Sequence, residues 1–284
     1  MNSTVYWRWR AVIPATEADA FCDWVRRELG AEPACLLDPG EAIARVDAYF
    51  ESEADARSAA ARVEGSNVER LGEESWTGFW KDHYHATPIG RTLLTVPAWE
   101  DPPAGDRIAI RIDPRLSFGT GSHFTTRFCL EALEDSIVEL RPRSMVDAGA
   151  GSGILSIAAA LLGVPDIEGF DLDPASVERC HANAELNGLP PDRIRFRQLD
   201  IHDWHPSAPF DIVCANILSG ILADCAQTLW NATTHHLILS GIRLSEAEET
   251  IELFSSLGAR LLRQDTDGEW SGLLFARNGG SDIA

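Results

Sequence analysis

Met145-Val-Asp-Ala-Gly-Ala-Gly-Ser-Gly-Ile154 joins an apolar strand to glycines at 149, 151 and 153, and then to a helical pattern running from Ile154 to Leu162. A buried strand, a glycine turn and a helix start make a cradle for a cofactor, because glycine lets the backbone approach a ligand closely. The spacing is G-x-G-x-G rather than the G-x-G-x-x-G of dinucleotide folds, which suits a ligand without a pyrophosphate. Its third glycine comes one residue early for packing under a pyrophosphate, and this weakens an NAD reading without removing it. Ile167-Glu-Gly-Phe-Asp-Leu-Asp173 reads as a second strand ending in Asp171, about 20 residues after the first glycine, where a carboxylate accepts hydrogen bonds from ribose hydroxyls. Glycine turn and acid together point to an adenosine-type cofactor.

From Asp106 onward, strand and helix patterns alternate, with strand candidates at 144–148, 167–172, 194–199, 210–215, 235–240, 259–264 and 271–277. Such alternation predicts a mostly parallel sheet covered by helices on both faces, with Asp171 at a strand's carboxyl end beside the topological switch point. Residues 4 to 75 alternate more tightly: Val5 to Ile13 as strand, Thr16 to Leu29 as helix, Ala42 to Phe50 as strand, Glu53 to Val63 as helix, Val68 to Leu71 as strand. This predicts a small ferredoxin-like α+β domain over 1–75, with Thr16 as an N-cap and Gly30 stopping the first helix. The aromatic, Pro-containing stretch 76–105 reads as a linker and 106–284 as the second domain.

A chain of 284 residues with 45% hydrophobic content supports two cores. Its longest apolar run, Ile154 to Val164, is too short for a bilayer, and the expected location is the cytoplasm. Six cysteines without C-x-x-C pairing fit buried, reduced thiols. The formal net charge of -20 disfavours contact with phosphate backbones and favours a basic partner, although acidity serving solubility alone is the competing explanation. No metal is expected, since none of the histidine pairs 83/85, 202/205 and 235/236 has further ligands at zinc spacing.

Asp200, after the third strand of the alternating region, either accepts from an adenine amino group or is a solvated loop acid. Asp211-Ile-Val-Cys-Ala-Asn-Ile-Leu218 delivers Asn216 to the end of a central strand, where an amide contacts substrate or cofactor, or caps a helix beginning at Ile217, or both. Leu116-Ser-Phe-Gly-Thr-Gly-Ser-His-Phe-Thr-Thr126 is a glycine-bearing loop leading into a helix from Arg127 to Leu133. There is no G-x-S-x-G, and no cysteine has an identifiable base, so no catalytic nucleophile is evident.

Phe118-Gly-Thr-Gly-Ser-His-Phe-Thr-Thr126, Val146 to Ile154, Asp171-Leu-Asp-Pro174, Asn183-Ala-Glu-Leu-Asn-Gly188 and Ala215-Asn-Ile-Leu218 together resemble the PrmA family, S-adenosylmethionine-dependent methyltransferases of large-subunit ribosomal protein eleven. Trp80-Lys-Asp-His-Tyr-His85 and Val96-Pro-Ala-Trp99 are also similar to family segments. The resemblance implies a Rossmann-like seven-stranded methyltransferase domain and S-adenosyl-L-methionine as cofactor. It implies cofactor contacts from Thr126, Gly149, Asp171 and Asn216, with Gly151 and Gly153 shaping the pocket. It also implies that the N-terminal domain docks the ribosomal protein, whose lysine and N-terminal amines are methylated. Phe124 stands where the family usually has proline, which removes a fixed φ.

The expected reaction is methyl transfer to an uncharged amine by in-line displacement, driven mostly by alignment, with Asn216 shaping the amine's approach. A nucleic-acid or glutamine methyltransferase would normally show Asn-Pro-Pro-aromatic where this chain has Asn216-Ile-Leu-Ser219. Methylation of another protein or a small amine, an NAD-dependent oxidoreductase, and a non-catalytic cofactor-binding module are the remaining alternatives.

Overall fold

The computed structural model describes residues 6–31, 33–36, 42–50, 52–71, 85–113 and 123–277. The chain divides into two compact units, Met1–His83 and Tyr84–Ala284.

The first unit is a four-stranded antiparallel sheet, β1 (Tyr6–Pro14), β2 (Ala34–Leu36), β3 (Ile43–Phe50) and β4 (Asn67–Leu71), in the order β2-β3-β1-β4. Two helices cross over it, α1 (Ala18–Leu29) and α2 (Glu53–Ala60), so the chain follows the β-α-β-β-α-β order of a split βαβ unit. Trp9, Ala11, Val46 and Ala48 alternate onto one face of the sheet and pack with Val25 and Ala59. Arg10 binds the fully buried Asp47 with both oxygens, each at 2.6 Å. Gly30 ends α1 in the left-handed conformation (φ 62°), as expected, whereas Thr16 lies in a 3-10 turn and α1 begins two residues later without a side-chain cap. The three-residue β2 was not anticipated, because so short a strand carries no alternation to read.

The second unit is built on a seven-stranded sheet of β8 (Ser144–Ala148), β9 (Asp166–Asp171), β10 (Arg195–Gln198), β11 (Phe210–Asn216), β12 (Thr233–Arg243), β13 (Ala259–Thr266) and β14 (Trp270–Arg277). The order is β10-β9-β8-β11-β12-β14-β13, parallel except for β14, which runs antiparallel to both neighbours. All seven fall within two or three residues of the sequence expectation. The switch point lies between β8 and β11. Successive residues point to opposite faces: Met145, Ile212, Cys214 and Ile238 enter one core, while Val146, Val213, Leu237 and Leu239 enter the other. Helices α3 (Phe124–Leu140), α4 (Ile154–Leu161), α5 (Pro174–Leu186), α6 (Ser219–Asp224), α7 (Ala226–Asn231) and α8 (Ala247–Ser256) cover these faces.

Part of the stretch expected to be a linker is a third sheet. The strands β5 (Thr87–Ile89), β6 (Leu93–Pro97) and β7 (Ile108–Ile112) are ordered β5-β6-β7, with β6 and β7 parallel, while residues 76–84 of that stretch lie outside the described residues. Leu93, Leu94 and Val96 are buried, and Ile89, Leu93, Ile110 and Ile112 join the core that contains Phe128, Leu133 and Ile154. The apolar run Leu93 to Val96 is too brief to stand out beside its Pro-rich flanks, and burial on both faces hides any period of two. The turn between β5 and β6 is tied to α3 by Glu134, which is 2% exposed. Its carboxylate accepts from the Arg91 amide (2.7 Å), the Thr92 amide (2.6 Å) and the Thr92 hydroxyl.

Burial alone would raise the Glu134 pKa, but the Thr92 hydroxyl and the two amides outweigh it and hold the carboxyl below its ordinary range. A depressed acid contributes stability above its unfolded pKa and loses it as pH falls through the folded value. Glu134→Gln should therefore cost about 1.5–3 kcal/mol near neutrality, the scale of hydrogen bonds to a charged group. That gap should narrow as pH falls below the ordinary glutamate range and close only once pH is under the folded value, where both states of the parent are protonated. Urea unfolding at pH 7 and at the lowest pH where the fold survives checks this; equal gaps at both would contradict it.

Candidate cofactor site

The glycine turn is fixed by the end of β9. The amides of Gly149 and Ala150 both donate to the Phe170 carbonyl at 2.9 Å, and the Gly151 amide donates to Asp171 Oδ2 at 2.8 Å. Asp171 Oδ1 accepts from the Asp173 amide at 3.0 Å, so both carboxylate oxygens are oriented by backbone. Gly149, Gly151 and Gly153 take φ of 77°, 56° and 78°, a conformation that side chains disfavour. A Cβ on Gly149 would lie 2.4 Å from Ile217 Cγ2, and one on Gly241, in β12, 2.5 Å from the Ile217 carbonyl oxygen. Ile217 is thus seated between two bare backbones, which sets the exit of β11 directly after Asn216.

Beside this turn lies a cavity of about 430 Å³ at the carboxyl ends of β8, β9 and β11. Thr126, Gly149, Gly151, Asp171, Asp200 and Asn216 all line it. Gly153 is outside the lining: it is the N-cap of α4 and rests against Cys180, where an added Cβ would meet the sulfur at 3.1 Å. Of the loop leading into α3, residues 116–122 are outside the described residues. The helix itself starts at Phe124, earlier than the expected Arg127, and runs on to Leu140.

Asn216 does not cap a helix, since α6 begins at Ser219 with no side-chain cap. Its Oδ1 is buried and has no partner among the described residues, and the same holds for Thr126 Oγ1 and Arg179 Nε, which also belong to lining residues. Buried polar atoms without partners are uncommon, and three around one cavity mark it as built for a polar ligand. Asp200 accepts from the His202 amide (2.9 Å) and from His202 Nδ1 (2.8 Å), closing a 3-10 turn. The two shift one another: the His202 amide and ring hold Asp200 below its ordinary range, and Asp200 raises His202.

The sequence reading missed Ile217, Arg179 and Ser156. Arg179 follows Ser176 by one helical turn on α5, a pattern shared with any solvated helix. Ser156 donates through its amide (3.1 Å) and hydroxyl (2.9 Å) to Asp147, which is 1% exposed. Burial pushes the Asp147 pKa up to about 6, only partly countered by Ser156, with the charge of Asp171 adding to the rise.

The cavity, the glycine cradle, the ribose-competent acid and the orphaned polar atoms fit an adenosine-type cofactor. The family model for ribosomal protein L11 methyltransferase (PrmA) matches residues 26–278. The ribosomal protein L11 methyltransferase of Geobacter sulfurreducens is 37% identical over 256 residues, covering 83% of each chain. That of Alteromonas mediterranea is 35% identical over 250 residues, covering 82% of each. The crystal structure of ribosomal protein L11 methylase from Lactobacillus delbrueckii subsp. bulgaricus superposes with a TM-score of 0.61 at 31% identity, covering 68% of this chain and 99% of that one. Matched in sequence over most of its length and in fold over 68% of it, the chain belongs to the ribosomal protein L11 methyltransferase (PrmA) family of S-adenosylmethionine-dependent methyltransferases.

Proposed function

We propose that this chain methylates lysine and N-terminal amines of ribosomal protein L11. The observation that carries the reading is the unpartnered Asn216 Oδ1, buried in the cavity that Asp171 and the glycine turn line. In this reading Asp171 accepts from ribose hydroxyls and Asp200 from an adenine amino group, with the bare backbone of Gly149 and Gly151 along the ligand; that all four line one cavity supports it. S-adenosylmethionine bound there supplies a methyl group on a sulfonium centre. An amine nitrogen forms the new N–C bond as the S–C bond breaks and its electron pair stays on sulfur. Asn216 Oδ1 accepts an N–H of the incoming uncharged amine and aligns its lone pair, so catalysis is mostly positioning. The ammonium proton, whose loss frees the nitrogen lone pair, leaves to solvent before the amine is enclosed.

The cavity's described lining residues, Thr126 to Ile221, belong to the second unit, and we assign the first unit the choice of protein substrate. A net charge of -20 suits a partner whose own surface must bind RNA phosphates. No helix among the described residues is long and apolar enough to cross a membrane, and the cytoplasm is the compartment proposed.

Three outcomes test this. Asp171→Ala should weaken S-adenosylmethionine binding by about 1.5–3 kcal/mol, the scale of a lost charge-assisted hydrogen bond. Unchanged calorimetric affinity in a folded variant would remove Asp171 from the site. Asn216→Ala should lower methyl transfer while shifting Tm by only a few degrees, about 1 kcal/mol, because the oxygen removed has no partner among the described residues. Parental turnover, or an unfolded variant, would make the amide structural. Finally, a chain starting at Tyr84 should bind the cofactor nearly as the full chain does, yet methylate L11 far more slowly because the local concentration supplied by docking is gone. Equal rates would point instead to a small-amine substrate.

A further inference from the structure

Two asparagines, Asn183 on α5 and Asn187 directly after it, do the work of a missing strand. β7 is the edge of its three-stranded sheet, and the side beyond it meets amide groups rather than backbone. Asn187 accepts from the Arg111 amide at 2.8 Å and donates to the Arg111 carbonyl at 2.7 Å, so one side chain copies both halves of a ladder pair. Asn183, 3% exposed, accepts from the Asp113 amide at 3.1 Å through Oδ1. Its Nδ2, however, turns the other way and donates to the Ser152 carbonyl at 2.9 Å, inside the glycine turn. Reversing the amide would set oxygen against the Ser152 oxygen and nitrogen against the Asp113 N–H, so this orientation alone satisfies both partners. Ser152 precedes the N-cap of α4, so its carbonyl stands outside the helix ladder and takes this bond from another element.

We propose that Asn183 is a positioning residue for the cofactor: its amide locks the glycine turn to the end of β7, so that the Gly149–Gly151 backbone is held in its binding geometry. Asn187 fastens the same strand without touching the turn, and the pair separates two jobs. Losing Asn187 loosens the sheet edge; losing Asn183 also frees the turn. The reading rests on the turn binding S-adenosylmethionine, and the parental chain's own affinity for that compound tests that premise separately.

Asn183→Asp is the discriminating variant, since it keeps an oxygen for the Asp113 amide and replaces only the donor to Ser152. Calorimetry with S-adenosylmethionine should show affinity weakened about tenfold or more, the factor corresponding to one lost buried hydrogen bond. KM for the cofactor should rise by a similar factor, while kcat at saturating cofactor stays within about threefold. Asn183→Ala should show at least the same loss. Asn187→Ala should lower Tm and leave cofactor affinity within about threefold of the parent. Equal affinity losses in Asn183→Asp and Asn187→Ala, or none in either, would overturn the proposal. So would failure of both Asn183 variants to fold, since the amide would then be a prop of the whole unit.

Discussion

The 2.8 Å hydrogen bond from the Gly151 amide to Asp171 joins the turn after one strand to the end of its neighbour, and the site is organised around it. A glycine turn with three positive φ angles has no ladder to hold it, so its amides must find fixed acceptors. β9 supplies them through the Phe170 carbonyl and the Asp171 carboxylate. That carboxylate has one oxygen on the turn and the other on the Asp173 amide, so backbone holds both oxygens in place. Preorganisation of this kind removes an ordering cost from binding.

A second constraint acts from the far side of the switch point. Ile217 fills the gap between Gly149 and Gly241, so the turn after β8, the bulged part of β12 and the exit of β11 fix one another. The consequence is chemical. Asn216 ends its strand with an amide oxygen that is buried and without a partner among the described residues, on the same cavity as the glycine turn. An exit that could relax would let that oxygen find an internal partner.

Charge is distributed in keeping with a reaction that needs alignment rather than a covalent intermediate. The net charge is -20, while inside, burial pushes the Asp147 carboxyl up to about 6 and raises the thiols of Cys129, Cys180 and Cys214. A thiol so shifted is not an available thiolate nucleophile. Burial, which stabilises the cores, also keeps these three thiols from acting as nucleophiles.

The amino-acid sequence alone determined the alternation of strands and helices from Ser144 to Arg277, the glycine turn and the acid that follows it, because each is a local pattern of period, spacing or backbone freedom. It also brought Asn216 to a strand end, yet left open whether the amide capped a helix; the start of α6 at Ser219 removed that choice. Only the tertiary structure turned Thr87–Ile89 and Leu93–Pro97 into strands, since Ile89 and Leu93 join a core with helices distant in the chain. Only it gave Ile217, Gly241 and Asn183 their places, because each acts on a partner at least 24 residues away in sequence, as with Ile217 and Gly241, and 70 or 31 residues away for the two bonds of Asn183. Spacing records what a residue can do to its near neighbours; what an amide or a missing side chain meets across the fold is fixed by packing.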